Sequence, residues 1–311
     1  MTLTASHGTA VDGSERVTSR HPRNRRKRKR IGLVWVAPAA AVYALFVLYP
    51  LAQTVRYSFY NWDGFGALTP AGFSNYRNLF SNPELFDSIV HAFVLIVFFT
   101  VLPVGLGLVA AAFMRELATG AFSTTARVLL FVPQVLPLVG AGIAWTWMYS
   151  SDGLVNQLLR LVGLGSLTQA WLGDFNTALP AVGIIGTWVA LGFCTILLLS
   201  GTSKIDPALY EAARIDGAGR LREFLAITLP GLRREVVVCV TVTVIAALAS
   251  FDVIYVSTSG GPGYQTMVPG VEIYRLTFLD QKVGQASALG VFLALLVLVV
   301  IVPIQRFGRE P

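Results

Sequence analysis

Residues Glu211 to Pro230 read EAARIDGAGRLREFLAITLP, a polar island in a chain that is otherwise largely apolar. Just before it, Asp206-Pro207 marks a helix start: the carboxylate accepts from free N–H groups of the first turn, and proline suits the first helical position. A short helix is predicted from Pro207 to about Asp216. Gly217 supplies the left-handed residue that ends it, and Gly219 keeps the turn loose. Arg220 to Thr228 form a second short helix that Pro230 stops. Leu209, Ala212 and Ala213 share one face of the first helix, and the two alanines let another surface approach closely.

The surroundings of this island set the class. Of 311 residues, 54% are hydrophobic and 13% charged, and mean hydropathy is +0.64, against roughly 25% charged residues in soluble domains. This is the composition of a membrane protein. Cys194 and Cys239 both lie in apolar runs, where they pack as small hydrophobes rather than build a disulfide framework. The net charge of +7 is concentrated in the run Arg23 to Arg30, beside the apolar stretch that follows. It reads as a topology anchor and a contact for membrane lipid, with no nucleic acid implied.

Residues 1–30 are predicted to be a disordered, basic cytoplasmic tail and 31–311 a transmembrane domain, with the polar loop at 201–235. The first apolar run, Ile31 to Val55, is too long for a signal-peptide core and is predicted to be a retained span. Five more spans are predicted at about Ser88–Met114, Arg127–Tyr149, Ala178–Ser200, Val236–Thr258 and Gln285–Ile304, each near the roughly 20 residues needed to cross. A lipid-embedded backbone must satisfy its own hydrogen bonds, so the fold class is all-α, polytopic, with six transmembrane helices. Pro103, Pro133, Pro137 and Pro180 predict kinks or local unwinding. With both termini in the cytoplasm, all but five of the 24 basic residues (Arg56, Arg77, Arg160, Arg275 and Lys282) fall inside, a clear positive-inside bias. The loop between spans four and five is then cytoplasmic. Outside, Gly153 to Leu164 has the spacing of an interfacial helix, Trp171 and Trp188 fit an aromatic belt, and Ser259-Gly260-Gly261-Pro262-Gly263 forces a tight turn.

Glu211-Ala212-Ala213, Gly217 and Ile227-x-Leu229-Pro230, at these intervals, resemble the cytoplasmic EAA motif of permease subunits of binding-protein-dependent ABC importers. GLVNQLLRLVGL with WLGD, and FDVIYV followed by the Gly-Gly-Pro turn, resemble the sugar-permease branch related to the maltose transporter. The similarity runs from about Gly32 to Arg306. It implies a type I importer permease fold in the plasma membrane. It also implies a second permease of similar fold, a pair of ATPase subunits and an extracytoplasmic sugar-binding protein as partners. ATP and Mg would be bound by the ATPase, and no cofactor by this chain. Tyr210, Glu211, Ala212, Ala213, Asp216, Gly217, Ala218 and Phe224 are implied as the ATPase-coupling residues. In register with that branch, Leu191, Gly192, Thr195, Thr243, Ala247 and Ser250 fall at substrate-lining positions. The extra N-terminal spans and large outer insertion of the maltose permease itself are missing, which leaves the sugar open.

Other chemistry finds little support. No P-loop is present, so this chain should not hydrolyse ATP, and no Gly-x-Ser-x-Gly elbow suggests a hydrolase. His7, His21 and His91 lack metal-binding spacing, and His91 is expected to be a satisfied interfacial residue. An ion-coupled secondary transporter is the alternative, but it would need more buried acids than Asp252, the one acid inside a predicted span. Asp252 is expected to hold the end of span five or the adjoining turn.

Overall fold

The computed structural model describes residues 35–116 and 121–308, so the basic run and the predicted tail lie outside the described residues. The chain divides into two units, Met1–Ala52 and Gln53–Pro311. Helix α1, Trp35–Tyr57, carries the apolar run of the first predicted span. After it come a two-residue hairpin, Tyr60–Asn61 with Thr69–Pro70, and helix α2, Ser74–Ser81. The buried Asn75 amide donates to the carbonyls of Ser58 and Tyr60, both at 3.0 Å, and so fixes the hairpin to the helix.

Helix α3 spans Pro83–Arg115, 33 residues. Asn82 caps it by accepting from the Glu84 N–H at 3.0 Å. Pro103 does not break it. A wide π turn at Val97–Val101, closed by the Leu102 N–H on the Val97 carbonyl, directly precedes the proline. The third predicted span is two helices, α4 (Ala121–Val135) and α5 (Leu138–Met148). Their axes bend by 102° between Pro133 and Pro137. Pro180 leaves α7, Ala178–Thr202, unkinked, because first-turn N–H groups have no helical partner in any case.

Between them, α6 (Leu154–Leu161) is the predicted outer helix. It is anchored by Asn156, whose amide donates to Ser150, Ser151 and Gln169 carbonyls and whose Oδ1 accepts from Trp171 Nε1 at 2.9 Å. Trp171 is therefore an internal tie, and Trp188 packs edge-on to Trp145 at 5.7 Å. Trp147, 73% exposed, is the tryptophan of this region that faces outward.

The fifth predicted span is broken. Helix α10, Arg233–Leu248, has 16 residues, about 24 Å at 1.5 Å per residue against a hydrocarbon core of about 30 Å. Ala249 to Phe251 leave the helix, and α11, Asp252–Ser257, resumes it. Helix α12, Pro269–Tyr274, is followed by a π turn and then by α13, Val283–Phe307. Among the described residues, four helices are long and apolar enough to cross a membrane, or five with the bent pair counted as one span. The molecule is a helical membrane protein.

Helix α7 is the central packing element. A Cβ added at Gly107 of α3 would sit 3.1 Å from Cys194 Cβ, and one at Gly183 or Gly186 would collide with Phe98 or Phe99. These small residues bring α3 and α7 together closely, as membrane helices do where dispersion rather than water drives packing. One core joins Leu95, Phe99, Val182, Ile185, Val253 and Val271 toward the α6 end, with Trp171 and Val155 packed against it. Another joins Met114, Cys194, Leu198, Leu232 and Cys239 toward the polar loop. Both cysteines are free and buried.

Candidate functional site

The elbow between α7 and α10 begins as expected. Asp206 accepts from the Ala208 N–H at 2.9 Å, and helix α8 runs Pro207–Ile215 with Asp216 at its end. Gly217 has φ +75, and the Gly217 and Ala218 N–H groups return to Arg214 and Ala213 carbonyls at 3.0 and 2.9 Å. Gly219 opens helix α9, Arg220–Glu223. Pro230 does not end this second helix. A π turn at Phe224–Thr228 leads into Leu229–Gly231, with the proline near its start, where no donor is needed.

Glu223, which sequence reading did not single out, is the hub beneath the elbow. It is buried, accepts from Arg214 Nε at 2.9 Å and a terminal Arg214 nitrogen at 3.3 Å, and lies 3.9 Å from Arg115 at the end of α3. The Arg214 hydrogen bond holds its carboxyl below the usual carboxylate range, against the opposing effect of burial. Arg115 also lies 3.6 Å over the Tyr210 ring, and the Tyr210 hydroxyl pairs with Thr228 Oγ1 at 3.0 Å. Lys204 and Glu235 close the base at 2.8 Å.

The elbow is thus clamped to the ends of α3, α7 and α10, and the positions implied for coupling divide. Tyr210, 4% exposed, cannot present a face to another protein. It supports the loop from below. Glu211, Ala212, Asp216 and Gly217 are exposed, while Ala213, Ala218 and Phe224 are half-buried. Around them Leu209, Ile215, Leu221 and Leu225 stand in the open, Ile215 at 87% and Leu221 at 72%. A cleft of about 810 Å³ runs under this face between Arg115, Glu211, Arg214 and Arg220.

A second cavity, about 330 Å³, lies where two helices break. The α4–α5 bend supplies Gln134, Leu136 and Leu138, α7 supplies Gly186, Val189, Ala190 and Phe193, and the α10 break supplies Ser250, Phe251 and Asp252. Ser250 is buried and its Oγ has no hydrogen-bond partner. Asp252 is exposed at the first position of α11 rather than inside a continuous span.

Of the six residues implied as substrate-lining, Thr243 and Ser250 line this cavity. The other four do not. An added Cβ at Gly192 would meet the Leu130 carbonyl oxygen at 2.0 Å, so this glycine seats α4 on α7. Thr195 is buried and donates to the Leu191 carbonyl at 2.8 Å, Ala247 is part of the core with Phe99 and Val253, and Leu191 is half-buried outside the lining. The cavity face of α7 is the adjacent one, at helical spacing from Gly186 to Phe193. His91 is satisfied by the Met267 carbonyl at 2.9 Å. Among the described residues, no cluster of three His, Cys, Asp or Glu could hold a metal ion.

A helical membrane domain with a clamped elbow and a cavity at paired helix breaks is the architecture of this chain, and its match is to a transport subunit. Residues 103–309 match the binding-protein-dependent transport system inner membrane component family, and the chain belongs to it. The sulfoquinovosyl glycerol transport system permease SmoG of Agrobacterium fabrum is 35% identical over 84% of this chain and 85% of its own. The diacetylchitobiose uptake permease NgcF of Streptomyces coelicolor is 32% identical over 86% and 79%. A bacterial ABC transporter for alginate import has the same fold, with a TM-score of 0.77 at 22% identity over 92% of this chain and 98% of that one.

Proposed function

We propose that this chain is one permease of an ATP-driven importer that carries a sugar or oligosaccharide, handed over by an extracytoplasmic binding protein, across the plasma membrane. A second permease and an ATPase pair complete the machine, and both termini of this chain lie in the cytoplasm. The substrate class is supported by relatives named for sulfoquinovosyl glycerol and diacetylchitobiose transport and by a cavity that combines apolar walls with Ser250, Gln134 and Asp252.

The single observation that carries the coupling reading is the elbow's face, where large apolar side chains stand exposed over a buried ionic anchor. Glu223 is buried as the anchor for Arg115 and Arg214, while Ile215 and Leu221 stand in the open among the exposed charges Glu211, Asp216 and Arg222. Such a surface suits burial in another protein. Closure of the ATPase pair would push this face, and the clamp to α3, α7 and α10 would pass the push to the helices whose breaks form the cavity. Glu211 would pair with a charge on the ATPase, and Gly217 would hold the bend.

The test is crosslinking in cells from cysteine placed at Ala212 in the Cys194→Ser, Cys239→Ser background. Trapping of a P-loop protein, together with ATP-dependent sugar uptake by the reconstituted complex, is the expected result. Transport by the purified chain alone, with no ATPase trapped, would overturn the reading.

A further inference from the structure

We infer that Phe251, Tyr255 and Tyr274 form an aromatic platform on which a sugar ring stacks as it enters the cavity between the two helix breaks. The inference rests on the carbohydrate reading above. Phe251 and Tyr255 are stacked, with centroids 5.1 Å apart and planes 14° from parallel. Tyr274 meets Tyr255 edge-on at 5.1 Å and Phe251 at 5.9 Å. Phe278, 68% exposed, extends the row from Tyr274 at 5.1 Å.

The row has an inner and an outer end. Phe251 is in the cavity wall beside Asp252 and Ser250, while Tyr255 is 36% exposed. The row thus joins a ring of the cavity wall, Phe251, to exposed aromatic surface through ring-to-ring contacts. Ser250 Oγ is buried without a partner at that inner end, and such a hydroxyl costs stability unless something bonds to it. The Asp252 carboxylate is exposed there too.

Tyrosine suits this role because it offers a flat apolar ring and a polar tip together. The two hydroxyls stand 3.5 Å apart, beyond normal O–H···O length, and so keep capacity for a ligand's hydroxyls. A pyranose has the complementary pattern: axial C–H bonds on one face, hydroxyls around the rim. A lipid chain would use the rings but leave Ser250 and Asp252 unanswered.

The test uses the complete importer in proteoliposomes with its binding protein, and labelled maltose, lactose and diacetylchitobiose as probes. Sugar imported per ATP hydrolysed is compared among the unaltered importer, Tyr255→Leu/Tyr274→Leu and Tyr255→Phe/Tyr274→Phe. Leucine keeps apolar bulk but removes the ring, and the ratio should fall about tenfold, on the order of a lost aromatic contact. Phenylalanine should retain most of it. An undiminished ratio with leucine, or an equal loss with phenylalanine, overturns ring stacking. Import of none of the three probes by the unaltered importer overturns the carbohydrate reading and the platform with it. Should the leucine variant fail to assemble, nitration of Tyr255 and Tyr274 by tetranitromethane in the unaltered importer decides: protection by saturating transported sugar supports the platform, and equal nitration overturns it.

Discussion

The elbow and the cavity are built on different plans. In the elbow one acid, Glu223, is buried against Arg214 and Arg115, and the apolar side chains Ile215 and Leu221 face out among exposed charges. In the cavity the helix break is held by apolar packing, with Val253 and Ile254 buried beside it, and polar groups face the empty space. Exposed apolar side chains interspersed with charges, on a fixed base, suit a protein partner. A polar interior between apolar walls suits a small hydroxylated solute. Each region is incomplete in the way its ligand would correct.

The largest expected effect comes from breaking the elbow's bend. A Cβ at Gly217 would meet nothing within 4 Å, so no clash forbids a side chain there. The obstacle is φ +75, a conformation that costs an ordinary L-residue about 1–2 kcal/mol and a β-branched one more. Gly217→Val should abolish uptake while the protein still reaches the membrane, and Gly217→Asn, which tolerates that conformation, should retain it. Uptake and membrane yield measured together separate the two. Full activity in the valine variant would mean that the bend is not mechanically important.

Next is the charge beneath the elbow. Glu223→Gln removes the anion shared by Arg214 and Arg115 and should lower uptake about tenfold, in line with truncating one partner of a buried hydrogen-bonded charge. Because Arg214 holds the folded carboxyl below its ordinary value of 4.5, its stabilisation is present above that value. It is lost as pH falls through the lower folded one. Proteolytic nicking of the elbow in detergent should therefore rise only as pH falls below 4.5 in the unaltered protein, but be high at neutral pH in the glutamine variant.

A smaller effect sharpens the cavity side. Ser250→Ala deletes a buried hydroxyl without a partner, so the thermal midpoint should hold or rise slightly. Uptake should fall a few-fold, on the order of one hydrogen bond, if the hydroxyl serves the solute. A drop in midpoint would instead show that Ser250 has a structural partner.

The two regions also differ in how far the sequence discloses them. The elbow is legible because its causes are local: Asp206-Pro207 begins a helix and Gly217 ends it, whatever lies around them. Pro230 misleads because a π turn, two to six residues upstream, had already freed its position. Glu223 had one available signal, an acid among Arg214, Arg220 and Arg222. The cavity depends on contacts distant in sequence. The break at Ala249 to Phe251 contains neither proline nor glycine. It faces Gly270, where an added Cβ would lie 2.6 Å from the Ser250 carbonyl oxygen. The lining face of α7 follows from Gly192 seating on Leu130, a contact that no spacing rule along α7 reveals. Gln134 was readable, as a polar residue between Pro133 and Pro137 in an apolar run.

The smallest effect lies above the cavity and reverses the elbow's sign. Glu272 on α12 is buried, with one carboxylate oxygen lacking a hydrogen bond and Arg275 4.0 Å away. Burial pushes its carboxyl above the ordinary range. Arg275 and Lys282 oppose that rise, and Glu84 and Asp280 add to it. Below pH 4.5 the acid is protonated whether the chain is folded or not, and it has no linkage effect. As pH rises, the unfolded chain releases its proton first, so the folded state loses stability until the raised folded value is passed. Glu272→Gln should therefore raise Tm at pH 7.5 by about 2 °C, and the gain should shrink as pH falls toward 4.5. A lower Tm at pH 7.5 would mean that Arg275 outweighs burial, and that this acid resembles Glu223 after all.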